Sequence, residues 1–291
     1  MPELRSSAAK RALAGELRRL REHADISGDE AAGRLGWSPS KISRIETNRS
    51  GVKIPDLRKL LDLYRVSDER RLQLEALATE PEPRGWWNGY ASYISPDYAA
   101  YISMEAHASQ ILCWSPSLIH GLLQTQEYAR ALMDVSSGAD PSIPPVTLQQ
   151  RIEVRLHRQK ILTESPATRL AFVLDEATLL HRFGDSEVMR RQLLHLIDVA
   201  PLAGIDIRVL PFAGAHPVVL QGSFTLLRFP AVHGTEIDDV VYLETLTGSV
   251  LIEDPEETHQ YSRAFEELRE EALNEHATVD LIARTASETQ P

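Results

Sequence analysis

At 291 residues, 43% hydrophobic and 25% charged, the chain is long enough to bury two cores and has the composition of a soluble globular protein. Its net charge of −11 is divided unevenly: residues 1–60 hold 13 Lys and Arg against 8 Asp and Glu, residues 61–291 hold 18 against 34, so a polyanion is expected to meet only the basic N-terminal end. No apolar run approaches the roughly 20 residues of a membrane-spanning helix, and MPELRSSAAKRALAGELRRL is too charged for a secretory signal, which leaves a cytoplasmic protein with no membrane partner as the expectation.

Residues 8–24 predict a helix with Leu13, Leu17 and Leu20 along one face, a core stripe. Arg11, Arg18, Arg19 and Arg21 lie elsewhere on it, suited either to phosphates or to keeping the surface wet. The stretch 27–49, SGDEAAGRLGWSPSKISRIETNR, then predicts two short helices broken at Gly36-Trp37. Ser27 and Glu30 form a capping box at the start of the first, and Ser38-Pro39 opens the second with a cap and a proline in its first turn. Ile42 and Ile45 face inward and leave Ser40, Lys41, Ser43 and Arg44 outward. Short polar and basic side chains on the free face of a helix after a tight turn suit entry into a DNA major groove. The loop 48–53 follows, with amides and cations able to clamp a phosphate and fix register without reading sequence. Pro55 starts a fourth helix, with Leu57, Leu60, Leu61 and Tyr64 facing in, and Asp68 caps a fifth that carries Leu72, Leu74 and Leu77. Five short helices complete a small domain over residues 1–79.

The run from about Leu13 to Leu77, above all SKISRIETNRSGVKIPDLRKLLDLY, resembles the Xre and Cro/C1-type repressor helix-turn-helix. The resemblance implies a third helix in the major groove, with Ser38, Ser40, Lys41 and Arg44 at or near bases and Asn48, Arg49 and Lys53 on phosphates. With Ser43 on the same outward face, these make the candidate DNA-contact set. One departure matters: the second residue of helix two, where that family often has a bracing glutamine, is Gly28. Grip is therefore expected to rest more on the loop after helix three.

Two prolines and a glycine mark residues 80–85 as a linker. Six aromatics then fall within residues 86–101. Trp86, Trp87, Tyr90 and Tyr93 among them suit either a ligand or partner pocket or the anchoring of the linker. Residues 105–164 read as helical, one segment running from Glu105 to Trp114 and another capped by Thr125. Cys113, the single cysteine, excludes an intrachain disulfide and reads as a small buried apolar residue. Thr147 caps a longer helix on which Arg151, Arg155 and Arg158 make a basic stripe, either a solvated face or a dock for an acidic partner or phosphate. From Thr168 the pattern turns to strands, LAFVL, IDIRVLPF, SFTLLRFP, DVVYLE and SVLIE, with a helix capped by Ser186 and a last helix from Pro255. The expectation is an α+β chain: a five-helix domain, then a larger domain over 86–275 of helices and a mostly antiparallel sheet, and a tail over 276–291.

GLLQTQEYARALM, RIEVRLHRQKIL, FVLDEATLLHRFG, MRRQLLHLIDVA and VLPFAGAH, in that order, resemble the C-terminal domain of antitoxin-like, WhiJ-like transcriptional regulators of actinobacteria. The resemblance implies a regulator whose second domain receives a signal, from a ligand or a small protein encoded nearby, and it carries over no catalytic residues. Asp175-Glu176 with His181 offers acid–base groups, but Asp175 stands where a helix cap belongs; His195 and His216 lack zinc-site spacing, and no GxSxG, P-loop or GxGxxG occurs. Neither enzyme activity nor a metal or cofactor is expected. The reading is a sequence-specific regulator, a repressor, that binds double-stranded DNA at an inverted repeat as a homodimer. The alternative is an antitoxin-like protein that sequesters a small partner and binds DNA for autoregulation.

Overall fold

The computed structural model describes residues 8–80, 85–138, 143–213, 222–245 and 248–289. Residues 81–84 of the expected linker lie outside these, as do His216 and residues 139–142 of the proline-rich loop. The chain divides into two compact units. The first takes residues up to Asn88 with Pro96–His107 and Arg228–Asp239; the second takes Gly89–Ser95, Ala108–Leu227 and the chain from Val240.

In the first unit, α1 (Ala8–His23) buries Leu13 and Leu17 of the expected stripe, together with Ala9 and Ala12, while Leu20 is partly buried. Ser27 Oγ accepts the Glu30 amide at 3.1 Å and starts α2 (Gly28–Leu35). Gly36, at φ 68°, ends it in the left-handed conformation that costs glycine nothing, and the Trp37 amide closes onto Ala32 O at 2.8 Å. The chain is thereby turned sharply into α3 (Pro39–Glu46). Ser38 holds the cap position of α3 without a side-chain cap bond; its hydroxyl lies 3.1 Å from that of Ser40. Then come α4 (Ile54–Leu63) and α5 (Asp68–Thr79), whose N-cap is Ser67 rather than Asp68. Leu57, Leu60, Leu61, Leu74 and Leu77 are buried with Ile42 and Ile45, whereas Leu72, expected to face in, is 72% exposed. Burying each isoleucine or leucine contributes about 1.5–3 kcal/mol, so this cluster is what holds five short helices that would not persist alone. The unit also contains α6 (Pro96–Glu105), and Ile237 from 228–239 belongs to the same cluster.

The second unit is built on a six-stranded sheet of order β3-β2-β1-β4-β5-β6. Its strands are β1 (Gln110–Ser115), β2 (Arg169–Asp175), β3 (Ile205–Leu210), β4 (Phe224–Arg228), β5 (Val240–Thr245) and β6 (Gly248–Ile252). The α+β class is as expected. The antiparallel expectation holds for β4-β5-β6, while β1, β2 and β3 run parallel, with Cys113 opposite Phe172 and Phe172 opposite Ile207. The helical reading of Glu105–Trp114 is corrected: the helix ends at Glu105 and ILCW is the strand β1. An inner strand buried on both faces shows no alternation, so its short apolar run cannot be told from a buried helical turn.

Crossovers join the parallel strands. Between β1 and β2 run α7 (Gln126–Gly138), α8 (Pro145–Arg158) and the single turn α9 (Ile161–Glu164); between β2 and β3 run α10 (Ala177–Leu180) and α11 (Ser186–Val199). Helix α8 begins two residues before Thr147, and α11 is capped by Asp185, whose Oδ1 accepts the Val188 amide at 2.8 Å, rather than by Ser186. Phe265 and Leu268 of α12 (Pro255–Glu271) close one sheet core against Leu112, Trp114, Phe224 and Val241. Residues set apart as a tail instead form α13 (Glu275–Glu288), which buries Thr278, Ile282, Thr285 and Ala286. Half of that inner face is threonine, so a search for apolar spacing passes over it. Among the described residues no helix is long and apolar enough to cross a membrane.

Candidate nucleic-acid interface

Helix α3 is fixed from beneath and presented outward. Ile42 and Ile45 are 2% and 4% exposed, and Ser38, Ser40, Ser43 and Arg44 are exposed. The last turn is tied down by a pair that sequence reading missed. Arg21 of α1 holds Glu46 through Nε–Oε1 at 2.8 Å and Nη2–Oε2 at 2.9 Å, and its Nη1 donates to Ile26 O at 2.9 Å. Both side chains are largely withdrawn from water, at 13% and 8% exposure. The bidentate bond to Glu46 raises the Arg21 pKa above its ordinary value. A partner 25 residues away leaves no local trace in sequence.

Lys41 does not project freely. Its Nζ lies 2.7 Å from Asp56 Oδ2 at the start of α4 and 3.6 Å over the Trp37 ring. The side chain keeps 34% exposure. Arg44 lies along its own helix, Nε donating to Ser40 O at 3.1 Å, and remains exposed. Asp56 and Trp37 were not among the expected site residues. An acid in the first turn of α4 reads simply as favourable to a helix N-terminus.

The loop 48–53 spends its first amides on closing α3. Asn48 N donates to Ile45 O at 3.1 Å, and Arg49 N and Ser50 N both donate to Arg44 O, at 2.8 and 3.0 Å. Asn48 is left-handed at φ 53° and half-buried. Of the amides expected to clamp a phosphate, those of Asn48, Arg49 and Ser50 instead close the helix end, and the Arg49 and Lys53 side chains are exposed. A Cβ at Gly28 would meet nothing within 4 Å.

The tentative residues of the second part of the chain are not one cluster. Trp86 and Trp87 fall in the first unit, with ring centroids 5.9 Å apart edge to face. Trp87 is 6% exposed and lies so close on Gly85 that a Cβ there would come within 2.1 Å of the ring, an anchoring role. Tyr90 and Tyr93 fall in the second unit and are half-buried. The basic stripe of α8 turns onto its own unit. Arg151 Nε donates to Tyr93 O at 3.0 Å, Arg155 Nη1 donates to Gln124 Oε1 at 2.7 Å, and Arg158 is 7% exposed. The solvated-face reading of the stripe is thus corrected: Arg151 and Arg155 bond the Tyr93 carbonyl and the Gln124 side-chain oxygen, and Arg158 is buried.

His120 Nδ1 accepts the Leu122 amide at 3.3 Å, and its ring lies 5.4 Å from that of Phe172. Burial first, then the charges of Arg158 and Arg155, push it down to about 3, so it is neutral. The acid–base candidates serve local structure. Asp175 Oδ1 accepts the Ala177 amide at 2.8 Å, Glu176 Oε2 accepts the Phe212 amide at 2.9 Å, and His181 Nδ1 lies 3.0 Å from Ser117 O. Cys113 is buried, 3.8 Å from the Thr225 hydroxyl. Among the described residues no group of three or more His, Cys, Asp or Glu is placed to hold a metal.

A helix held on its inner side, turned out of a glycine-ended helix and carrying polar and basic residues outward, defines a DNA-binding regulator of the helix-turn-helix class, followed by a larger C-terminal domain. The comparison with known families agrees: the model of a helix-turn-helix domain matches residues 12–74. The Domain of unknown function (DUF5753) matches residues 98–284, more than half of the chain, and the chain belongs to that family. No curated protein and no solved structure matches it.

Proposed function

We propose that the protein is a sequence-specific transcriptional repressor of Xre type that binds an inverted-repeat operator as a homodimer. The observation that carries this reading is the exposed face Ser40, Ser43 and Arg44 on a helix fixed by two buried isoleucines and the Arg21–Glu46 pair. Ser38, Ser40, Ser43 and Arg44 read base edges or the phosphates beside them. Arg49 and Lys53 hold the backbone, Asn48 shapes the loop that presents them, and Lys41 contributes charge from its place between Asp56 and Trp37. Half-sites lie about one helical turn apart, as paired recognition helices require.

The DUF5753 unit is read as the receiver of a signal, in line with the WhiJ-like resemblance, from a ligand or a small protein encoded nearby. Tyr90 and Tyr93, half-buried, are read as part of its partner-facing surface. The test is selection of bound duplexes from a random pool by the full chain, followed by competition with unrelated DNA across a salt series. Enrichment of a two-fold symmetric sequence, bound by two chains, supports the reading. Binding that is sequence-blind at every salt concentration overturns it.

A further inference from the structure

Residues 228–239 have a double membership. They lie within the stretch matched by the DUF5753 family, and they connect β4 to β5, yet they pack as part of the helix-turn-helix unit. The segment turns back on itself where Val232 and Thr235 exchange amide bonds of 2.9 and 2.8 Å, around His233 and Gly234 at φ 47° and 70°. Beyond the turn, Ile237 is 7% exposed and sits in the cluster formed by Leu13, Leu17, Leu74 and Leu77, and Phe229 and Val232 pack at its edge.

Polar contacts fix the same segment on α1 and α5. Arg19 Nη2 donates to Glu236 O at 3.0 Å and lies 3.6 Å from Asp238 Oδ1. Arg70 Nη1 reaches Gly234 O at 3.4 Å while its Nη2 holds Glu16 at 2.7 Å. The Arg11 guanidinium lies 5.6 Å over the Phe229 ring. A Cβ at Gly15, in the middle of α1, would lie 2.7 Å from Asp238 Oδ2, the end of a side chain that could turn aside.

We propose that residues 228–239 are a transmission arm, which carries displacements of β4 and β5 into α1 and, through Arg21 and Glu46, on to α3. A loop resting on a surface would slide. Ile237 sits in a close-packed core, which answers a displacement by repacking rather than by yielding smoothly. The regulatory meaning of the arm rests on the reading of α3 as the DNA helix; its mechanical role does not.

The test is amide hydrogen exchange of the full chain without DNA. Val241 of β5 stands opposite Leu226 of β4 and both are fully buried, so the Val241→Ala, Leu226→Ala double variant loosens the two strands at the arm's roots. The proposal expects exchange in α1 and α3 to rise roughly five-fold or more with the arm intact. In a chain whose residues 229–238 are replaced by a Gly/Ser linker, the same double variant adds nothing further in α1 and α3. Ile237→Ala keeps the arm's length and serves the same comparison if the linker chain does not fold. Unchanged exchange in α1 and α3 of the double variant, or an equal rise with and without the arm, overturns the proposal. A wild-type chain that selects no DNA sequence would overturn the DNA reading and leave this result standing.

Discussion

The Lys41 ammonium lies 2.7 Å from the Asp56 carboxylate and 3.6 Å over the Trp37 ring, so a cation of the exposed helix is already engaged within the protein. A phosphate that recruits Lys41 must compete with Asp56. Asp56→Asn is therefore expected to tighten binding to all DNA sequences a few-fold and to steepen the slope of log affinity against log salt by about one. The pair is partly exposed, so the loss in stability stays at about 1 kcal/mol or less. Affinity titrations at several salt concentrations check this, and a weakened variant would mean that the pair positions Lys41 instead of restraining it.

Arg49 makes a different prediction. The amides of Asn48, Arg49 and Ser50 close the end of α3, and the Arg49 side chain is exposed, as a proposed phosphate contact must be. Arg49→Ala is expected to weaken specific and unrelated duplexes by the same factor and to flatten the salt slope by about one. Competition binding with matched and scrambled duplexes separates this from a loss of sequence choice.

Arg21→Ala removes the bidentate partner of Glu46, whose side chain is 8% exposed. Destabilisation on the order of 3 kcal/mol is expected, read by urea unfolding. The double variant Arg21→Met, Glu46→Leu should recover most of that loss, because an apolar pair of similar volume avoids the desolvation cost. Failure of the double variant to recover would assign the loss to the Arg21 bond with Ile26 O.

His120 gives a pH signature. Its folded value, about 3, lies below the ordinary 6.5. Between those values the unfolded chain takes up a proton that the folded chain does not. Stability is therefore full above pH 6.5 and falls as the pH is lowered toward 3, by up to about 1.4 kcal/mol per pH unit from this group. His120→Asn, which keeps an acceptor for the Leu122 amide, should show a shallower loss over the same window in thermal unfolding at stepped pH.

The five N-terminal helices were legible because their signals are local. Ser27, Gly36, Pro39 and the Ile42/Ile45 spacing each act within a turn or two of chain, and the structure places α2 and α3 accordingly. What stayed hidden depends on distant partners. Asp56 and Glu46 take their meaning from Lys41 and Arg21, and Ile237 belongs to a core whose other members are more than 150 residues earlier. Strand β1 was misread because burial on both faces removes the alternation that marks a strand, and α13 because threonines share its inner face. The arginine stripe of α8 was visible as a pattern, but its direction depends on where Tyr93 and Gln124 fold.

The central claim is that the outward face of α3 chooses DNA sequence. The most direct measurement compares the wild-type chain with Ser40→Ala, Arg44→Ala, each offered the sequence the wild type selects and a scrambled control. The variant is expected to lose about 1–3 kcal/mol of preference for the selected sequence per lost base contact, while its binding to the control stays near the wild-type value. A variant that binds the selected sequence as tightly and as selectively as the wild type contradicts it.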